Sequence, residues 1–210
     1  MGTLTTVDFY FDPLCPWTWL TSRWLTEATQ TRDIEVRWHV MSLAILNENN
    51  LDQIPQPYRE LLGPKGWRPV RVLAAVADQY GNHAVSRLYS ALGDQFHHRG
   101  AGPTFEAIAY ALDQASLPAE LTEHADTGLY DKAVRASHDR AQEVFGQETG
   151  TPVLVMPGAD NQPIAFNGPI VTPAPKGEEA ARLWDAITLL AATPGFYEIK
   201  RPRTGDSDLG

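Results

Sequence analysis

Cys15 is the single cysteine among the 210 residues. It sits in Phe9-Tyr10-Phe11-Asp12-Pro13-Leu14-Cys15-Pro16-Trp17-Thr18-Trp19, where a strand pattern runs into a helix start. A thiol at that junction is placed for nucleophilic chemistry. Pro16 suits the first helical position, which makes Cys15 the expected N-cap, with its sulfur facing the N–H groups of Trp17 and Thr18. Those donors and the helix dipole favour thiolate over thiol by about 0.3–2 kcal/mol. One turn on, the Thr18 hydroxyl occupies the place where a Cys-x-x-Cys motif holds its second sulfur, and it is the candidate for a further donor. With no second cysteine in the chain, an intramolecular disulfide cannot form. Any mixed disulfide at Cys15 must be released by a thiol from another molecule. The competing reading is an inert buried cysteine, since free cysteine is among the most buried residue types.

The elements that must position this thiol follow from periodicity. Val7, Phe9 and Phe11 alternate with Asp8 and Tyr10, and Ile34, Val36, Trp38 and Val40 alternate with Glu35, Arg37 and His39. Both are expected strands, the second an edge strand because its alternation is clean. Between them, Pro16 to about Gln30 carries Trp17, Leu20, Trp24 and Leu25 at helical spacing. From Leu43 to Gly146 the pattern is helical: Val70, Leu73, Ala74 and Ala77; then Val85, Leu88, Tyr89, Leu92 and Phe96; then Phe105, Ile108, Ala109 and Leu112; then Leu129 to Val144. Val153-Leu154-Val155-Met156, a turn at Pro157 to Asn161, and Ile164-Ala165-Phe166 form an expected hairpin. Pro152 lacks a ladder donor, so it marks either a strand start or a deliberate backbone feature. A last helix is expected over Gly177 to Ala192 with Leu183, Ile187 and Leu190 inward, followed by a disordered tail, 201–210.

Composition narrows the partners. Seventeen basic against 26 acidic residues give a formal charge of −9, which argues against nucleic acid or an anionic membrane surface. The first residues, Met1-Gly2-Thr3-Leu4-Thr5-Thr6, show no basic segment followed by an apolar run, and no stretch approaches about 18 apolar residues. The expectation is a soluble, cytoplasmic protein without a disulfide framework. Glycine-rich phosphate loops and nucleotide fingerprints are absent.

Taken together, Cys15-Pro16-Trp17-Thr18 at the first strand–helix junction, Thr151-Pro152 heading the third strand, and a helical insert between two halves resemble the DsbA-like family of thioredoxin folds. The resemblance covers nearly the whole chain. It implies an α/β thioredoxin fold (βαβ…ββα), with 1–42 and 148–200 forming the thioredoxin-like part and 43–147 the inserted helical subdomain. Phe11 to Trp17, Val40-Met41-Ser42-Leu43-Ala44-Ile45-Leu46-Asn47-Glu48-Asn49 and Gly168-Pro169 further resemble the actinobacterial cytoplasmic branch of mycothiol-dependent reductases, some of which reduce nitroaromatic compounds. That branch implies Cys15 as nucleophile, Thr151-Pro152 as a cis peptide whose backbone pairs with a thiol substrate, and mycothiol as co-substrate. Relatives in the branch often carry a second cysteine where this chain has Thr18, so the chain resembles a monothiol variant.

The remaining candidates each have two readings. Trp17 is a flat wall for an aromatic substrate, or packing at the helix start. Asn47 and Tyr58, in the segment that carries the resemblance, would supply polar contacts to a bound thiol; otherwise they are a helix cap and a surface aromatic. His97-His98 invites a metal reading, but adjacent helical residues point about 100° apart and no ligand spacing accompanies them, so no metal is expected. His39 is a proton carrier or an exposed strand histidine. Three functions remain in play: a thiol-dependent oxidoreductase using Cys15 with a small thiol, a thiol transferase or isomerase resembling the kappa-class glutathione transferases, and a non-enzymatic redox sensor. A homodimer is a candidate assembly.

Overall fold

The protein is described by a computed structural model over residues 4–146 and 149–209. The expected boundary between helical insert and second half, at 147/148, lies outside the described residues. A four-stranded sheet has the order β2-β1-β3-β4. In it β1 (Thr5–Phe11) pairs parallel with β2 (Ile34–Val40) and antiparallel with β3 (Val153–Pro157). β3 in turn pairs antiparallel with β4 (Pro163–Asn167). Val7 lies opposite Val36 and Phe9 opposite Trp38, so the two alternating patterns are in phase. β2 is the edge strand that its alternation predicts. Its exposed ladder is partly closed by Asn82, whose Oδ1 accepts from Trp38 N–H at 2.9 Å and whose Nδ2 donates to Trp38 O at 2.8 Å.

The period of two sends side chains to opposite faces of the sheet, and the helices are divided accordingly. α1 (Pro16–Ala28) and α8 (Gly177–Ala191) belong to the face that holds Val7, Phe9, Phe11, Leu154 and Met156. Between β2 and β3 run two short helices, α2 (Leu43–Leu46) and α3 (Gln56–Arg59), then α4 (Trp67–Tyr80), α5 (Asn82–Gly93), α6 (Phe105–Gln114) and α7 (Asp131–Phe145). Leu73, Leu88, Tyr89, Leu92 and Ile108 from α4, α5 and α6 join the same buried cluster as the sheet and α1. The helical insert therefore shares its core with the sheet. α7 covers the other face, where Ala141 packs with Tyr10, Met41, Val153 and Val155, and Ser137 Oγ donates to Val40 O at 2.7 Å.

Several expected stripes shift by a residue or two. In α4 Ala77 is exposed while Val72 and Val76 are buried. Phe105 is also exposed, with the Arg68 guanidinium 4.8 Å over its ring. Leu129 is 71% exposed and precedes α7. In α8 the fully buried residues are Ala180, Ala181, Trp184 and Ala191, and Leu183, Ile187 and Leu190 are only partly covered. The reason is the partner helix: Trp24 Nε1 donates to Ala180 O at 3.0 Å and its ring lies 6.4 Å from Trp184. Small alanines let α1 approach that face closely. Residues 201–209, expected to be disordered, hold no helix or strand, yet Asp208 N–H donates to Thr172 Oγ1 at 2.8 Å and Leu209 packs against the main core.

At the end of α5, Gly93 lies directly beneath the Trp19 ring, which a Cβ at that position would overlap. Gly93→Ala is expected to cost about 1–3 kcal/mol through overpacking, lowering Tm by roughly 2–12 °C for a chain of this size. Differential scanning calorimetry measures it, and an unchanged Tm would mean that α5 and α1 can separate without loss.

Candidate functional site

The turn that delivers Cys15 is organised by a carboxylate. Asp12 has no exposed surface. Its Oδ1 accepts from Leu14 N–H at 2.8 Å, its Oδ2 from Leu43 N–H at 2.7 Å, and its carbonyl from Cys15 N–H at 3.2 Å. Burial pushes its pKa up to about 6, while the two N–H donors pull it back. Cys15 then sits as the N-cap of α1 in an extended conformation, with Pro16 opening the helix. The sulfur makes no capping hydrogen bond to the first turn. The sulfur instead lies 3.9 Å from Thr151 O, with the residue 7% exposed. A carbonyl only accepts, so any hydrogen bond between the two is donated by the sulfur's S–H. Thr18 is fully buried and its Oγ1 has no hydrogen-bond partner; here it does not bond the sulfur.

Facing the thiol is the start of β3. The Thr151–Pro152 peptide is cis, as are Gly168–Pro169 and Thr172–Pro173. Asn167, at the end of β4, brackets Thr151: its Nδ2 donates to Gly150 O at 2.8 Å and to Pro152 O at 3.0 Å. Gly168 N–H adds a bond to Pro152 O at 3.0 Å. Between those two held carbonyls, the Thr151 carbonyl is left facing Cys15, and Thr151 Oγ1 is buried without a partner. Thr21 Oγ1 donates to Pro169 O at 2.7 Å, tying α1 to the same loop.

The remaining predicted residues are scattered around this centre. Trp17 is half-buried, with the Arg203 guanidinium 4.8 Å from its ring. Asn47 caps α2, its Nδ2 donating to Leu43 O at 2.7 Å, so this side chain does the work of a helix cap. Tyr58 stands 55% exposed on α3, and no hydrogen bond ties it to Cys15 or Thr151 among the described residues. His39 pairs with Asp8, Nε2 to Oδ1 at 2.7 Å, beneath a stacked Tyr10, which places it in a hydrogen-bonded pair on the sheet, away from the thiol. Among the described residues no group of three or more His, Cys, Asp or Glu could hold a metal.

Three contributors were not singled out for these roles in the sequence. Asp12 stands there only as part of the motif around Cys15, and Asn167 lies one residue beyond the expected hairpin strand. His97 is legible only as half of a histidine pair. A five-residue π-helical segment, Asp94–His98, carries it onto the thiol loop, where its Nε2 lies 2.9 Å from Pro13 O. Burial lowers its pKa to about 4, and a carbonyl only accepts, so neutral His97 donates from Nε2. Trp19 stacks on His97 at 5.7 Å and donates from Nε1 to His98 Nε2 at 3.3 Å. Both rings are thus engaged with the thiol helix and its loop.

A model of the family described as the mycothiol-dependent nitroreductase Rv2466c matches residues 14–201. The chain belongs to that family. Family membership makes it an oxidoreductase whose chemistry depends on a low-molecular-weight thiol. The uncharacterized protein Rv2286c of Mycobacterium tuberculosis is 32% identical over 203 residues, spanning 96% of this chain and 84% of that protein. Among solved structures, the probable DsbA oxidoreductase SCO1869 of Streptomyces coelicolor is 17% identical with a TM-score of 0.58, covering 95% of this chain and 94% of its own. The cytosolic disulfide reductase DsbM of Pseudomonas aeruginosa is 15% identical with a TM-score of 0.59, covering 88% and 99%. These likenesses establish the DsbA-like thioredoxin fold for this member of the nitroreductase family.

Two predictions follow from the geometry around the thiol. Because folded Asp12 holds its proton to higher pH than an unfolded aspartate, its contribution to stability is full below about pH 4 and is lost as pH rises to about 6. Asp12→Asn removes that dependence, so urea midpoints of the two proteins should diverge with pH by the equivalent of about 3 kcal/mol between pH 4 and 7. A gap that stays constant with pH would sink this. Separately, Asn167→Asp turns a carboxylate toward the Gly150 and Pro152 carbonyls, and it should slow alkylation of Cys15 more than Asn167→Ala does; equal rates in both variants would show that Thr151 is held by other groups.

Proposed function

We propose that Cys15 is the nucleophile of a cytoplasmic, mycothiol-dependent reductase acting on mixed disulfides and electrophilic nitroaromatic compounds. The observation that carries this reading is the Cys15 thiol at the head of α1, 3.9 Å from the Thr151 carbonyl, with a threonine one turn on where a resolving sulfur would stand. Thr18 and Thr151 each hold a buried hydroxyl without a partner, and an unmet buried donor costs about 1–3 kcal/mol. An anionic sulfur or a bound thiol gives those hydroxyls something to donate to. The helix terminus adds its field to the thiolate.

The chemistry balances with one sulfur. For a mixed disulfide RS–SM, where M is mycothiol, the Cys15 thiolate attacks the mycothiol sulfur. The S–S bond breaks, RS⁻ leaves and takes a proton, and a Cys15–S–S–M bond forms. A second mycothiol thiolate attacks that bond, releasing MS–SM and the Cys15 thiolate. For a nitroarene, Cys15 and one mycothiol together give two electrons and two protons. The nitro group becomes nitroso with loss of water, and the same Cys15–S–S–M adduct results. Trp17 offers a flat apolar face for the aromatic ring, and the Thr151 backbone pairs with the thiol.

A second reading, in which the protein activates the co-substrate's thiol and leaves its own sulfur idle, is separated by one substitution. Exposure to mycothiol disulfide is expected to give a one-to-one adduct by intact mass, which Cys15→Ser abolishes together with turnover. Retained turnover in Cys15→Ser would transfer the reaction to the co-substrate's thiol. Thr18→Val should slow adduct formation by about tenfold, the loss of one hydrogen bond to a charged group. Thr18→Ser should restore it.

A further inference from the structure

We propose that Arg203 competes with aromatic substrates for the face of Trp17, which makes residues 201–209 a specificity-determining cover of the thiol site. The inference rests on the reading of Trp17 as the substrate wall. Its guanidinium lies 4.8 Å from the Trp17 ring centre, within the distance at which a cation is attracted to an indole face. The segment that carries it is attached further along: Asp208 N–H donates to Thr172 Oγ1 at 2.8 Å, and Leu209 packs against the main core. Thr172 belongs to the loop that Thr21 of α1 holds through Pro169 O. The cover is therefore anchored beside the helix that presents Cys15.

The contact is weak by construction. No salt bridge joins Arg203 to a carboxylate among the described residues, and the residue is exposed. Among the described residues Trp17 is its one ring partner. An exposed cation–π contact shifts an equilibrium by about two- to fivefold, enough to rank substrates and too little to block the site. An aromatic ring must displace Arg203 to stack on Trp17, while a small reagent that only needs the sulfur need not. The arginine thus discriminates by how much of the indole face a substrate requires.

The test uses 4-nitrobenzamide, an uncharged nitroarene that the guanidinium does not attract as an ion, with mycothiol as reductant. Arg203→Ala is expected to lower its KM about two- to fivefold. In a Trp17→Ala background the same change should have no effect, and iodoacetamide should alkylate Cys15 at the same rate with either residue at 203. Quenching of tryptophan fluorescence in Cys15→Ser protein carries the same comparison as a binding measurement. A higher KM in Arg203→Ala would mean that the arginine holds the substrate, and would overturn the proposal. An unchanged KM in Arg203→Ala, with KM raised in Trp17→Ala, would remove the cover and leave the wall. If Trp17→Ala changes nothing, or the nitroarene neither binds nor reacts, the wall fails and the cover fails with it.

Discussion

The arrangement depends on a buried carboxylate at the end of two parallel strands. β1 and β2 run side by side, so the chain leaves both at the same end of the sheet, once into α1 and once into α2. Asp12 joins those exits by accepting Leu14 N–H on one oxygen and Leu43 N–H on the other. Burying the charge is unfavourable, as its raised pKa records, and the two N–H bonds offset only part of that. What the cost secures is position: the turn closes on Cys15 N–H through the Asp12 carbonyl, and the thiol becomes the first residue of the helix cap. A neutral side chain at position 12 could satisfy one of these donors well, but a carboxylate accepts from both without having to choose an orientation.

The remaining walls arrive from far along the chain, and each is held by polar groups acting on backbone. Asn167 and Gly168 hold the carbonyls on either side of Thr151. His97 holds the Pro13 carbonyl from the helical insert, and Trp19 stacks on the same imidazole. The insert is thereby coupled to the thiol loop twice, through a hydrogen bond and through the apolar cluster it shares with the sheet. Beside the thiol the two threonine hydroxyls are left without a partner.

How much of this was legible depended on whether the signal was local. The alternation of β1 and β2, the Cys15-Pro16 helix start and the hairpin are local, and the structure has them where the pattern puts them. The Thr151–Pro152 segment was legible through family resemblance alone, because nothing within a few residues of it names Cys15 as its neighbour. Asp12 escaped since an aspartate two residues before a leucine is an ordinary turn signal, and its second partner, Leu43, is remote. In α8 three large aliphatic side chains drew the inward face toward Leu183, Ile187 and Leu190, while the decisive contact is Trp24 against Ala180 and Trp184. The adjacent-histidine argument assumed α-helical spacing, whereas a π-helical segment brings both rings against Trp19. Nor could it say that His97 would also reach the Pro13 carbonyl while His98 accepts from the Trp19 N–H.

On the proposed mechanism, a single sulfur imposes a requirement that a dithiol site escapes. A resolving cysteine one turn along the helix would release a mixed disulfide from within, whatever covered the outside. With threonine in that place the adduct persists until a second thiol reaches it, so one sulfur must be approached twice, by different molecules. A tightly roofed site would trap its own intermediate. The observed surroundings suit the opposite need: the Thr151 backbone faces the sulfur on one side, and the outer face carries the half-buried Trp17, with one exposed arginine over its ring. Rigidity is concentrated where the nucleophile must be aimed, and weak contact where two successive partners must enter and one must leave.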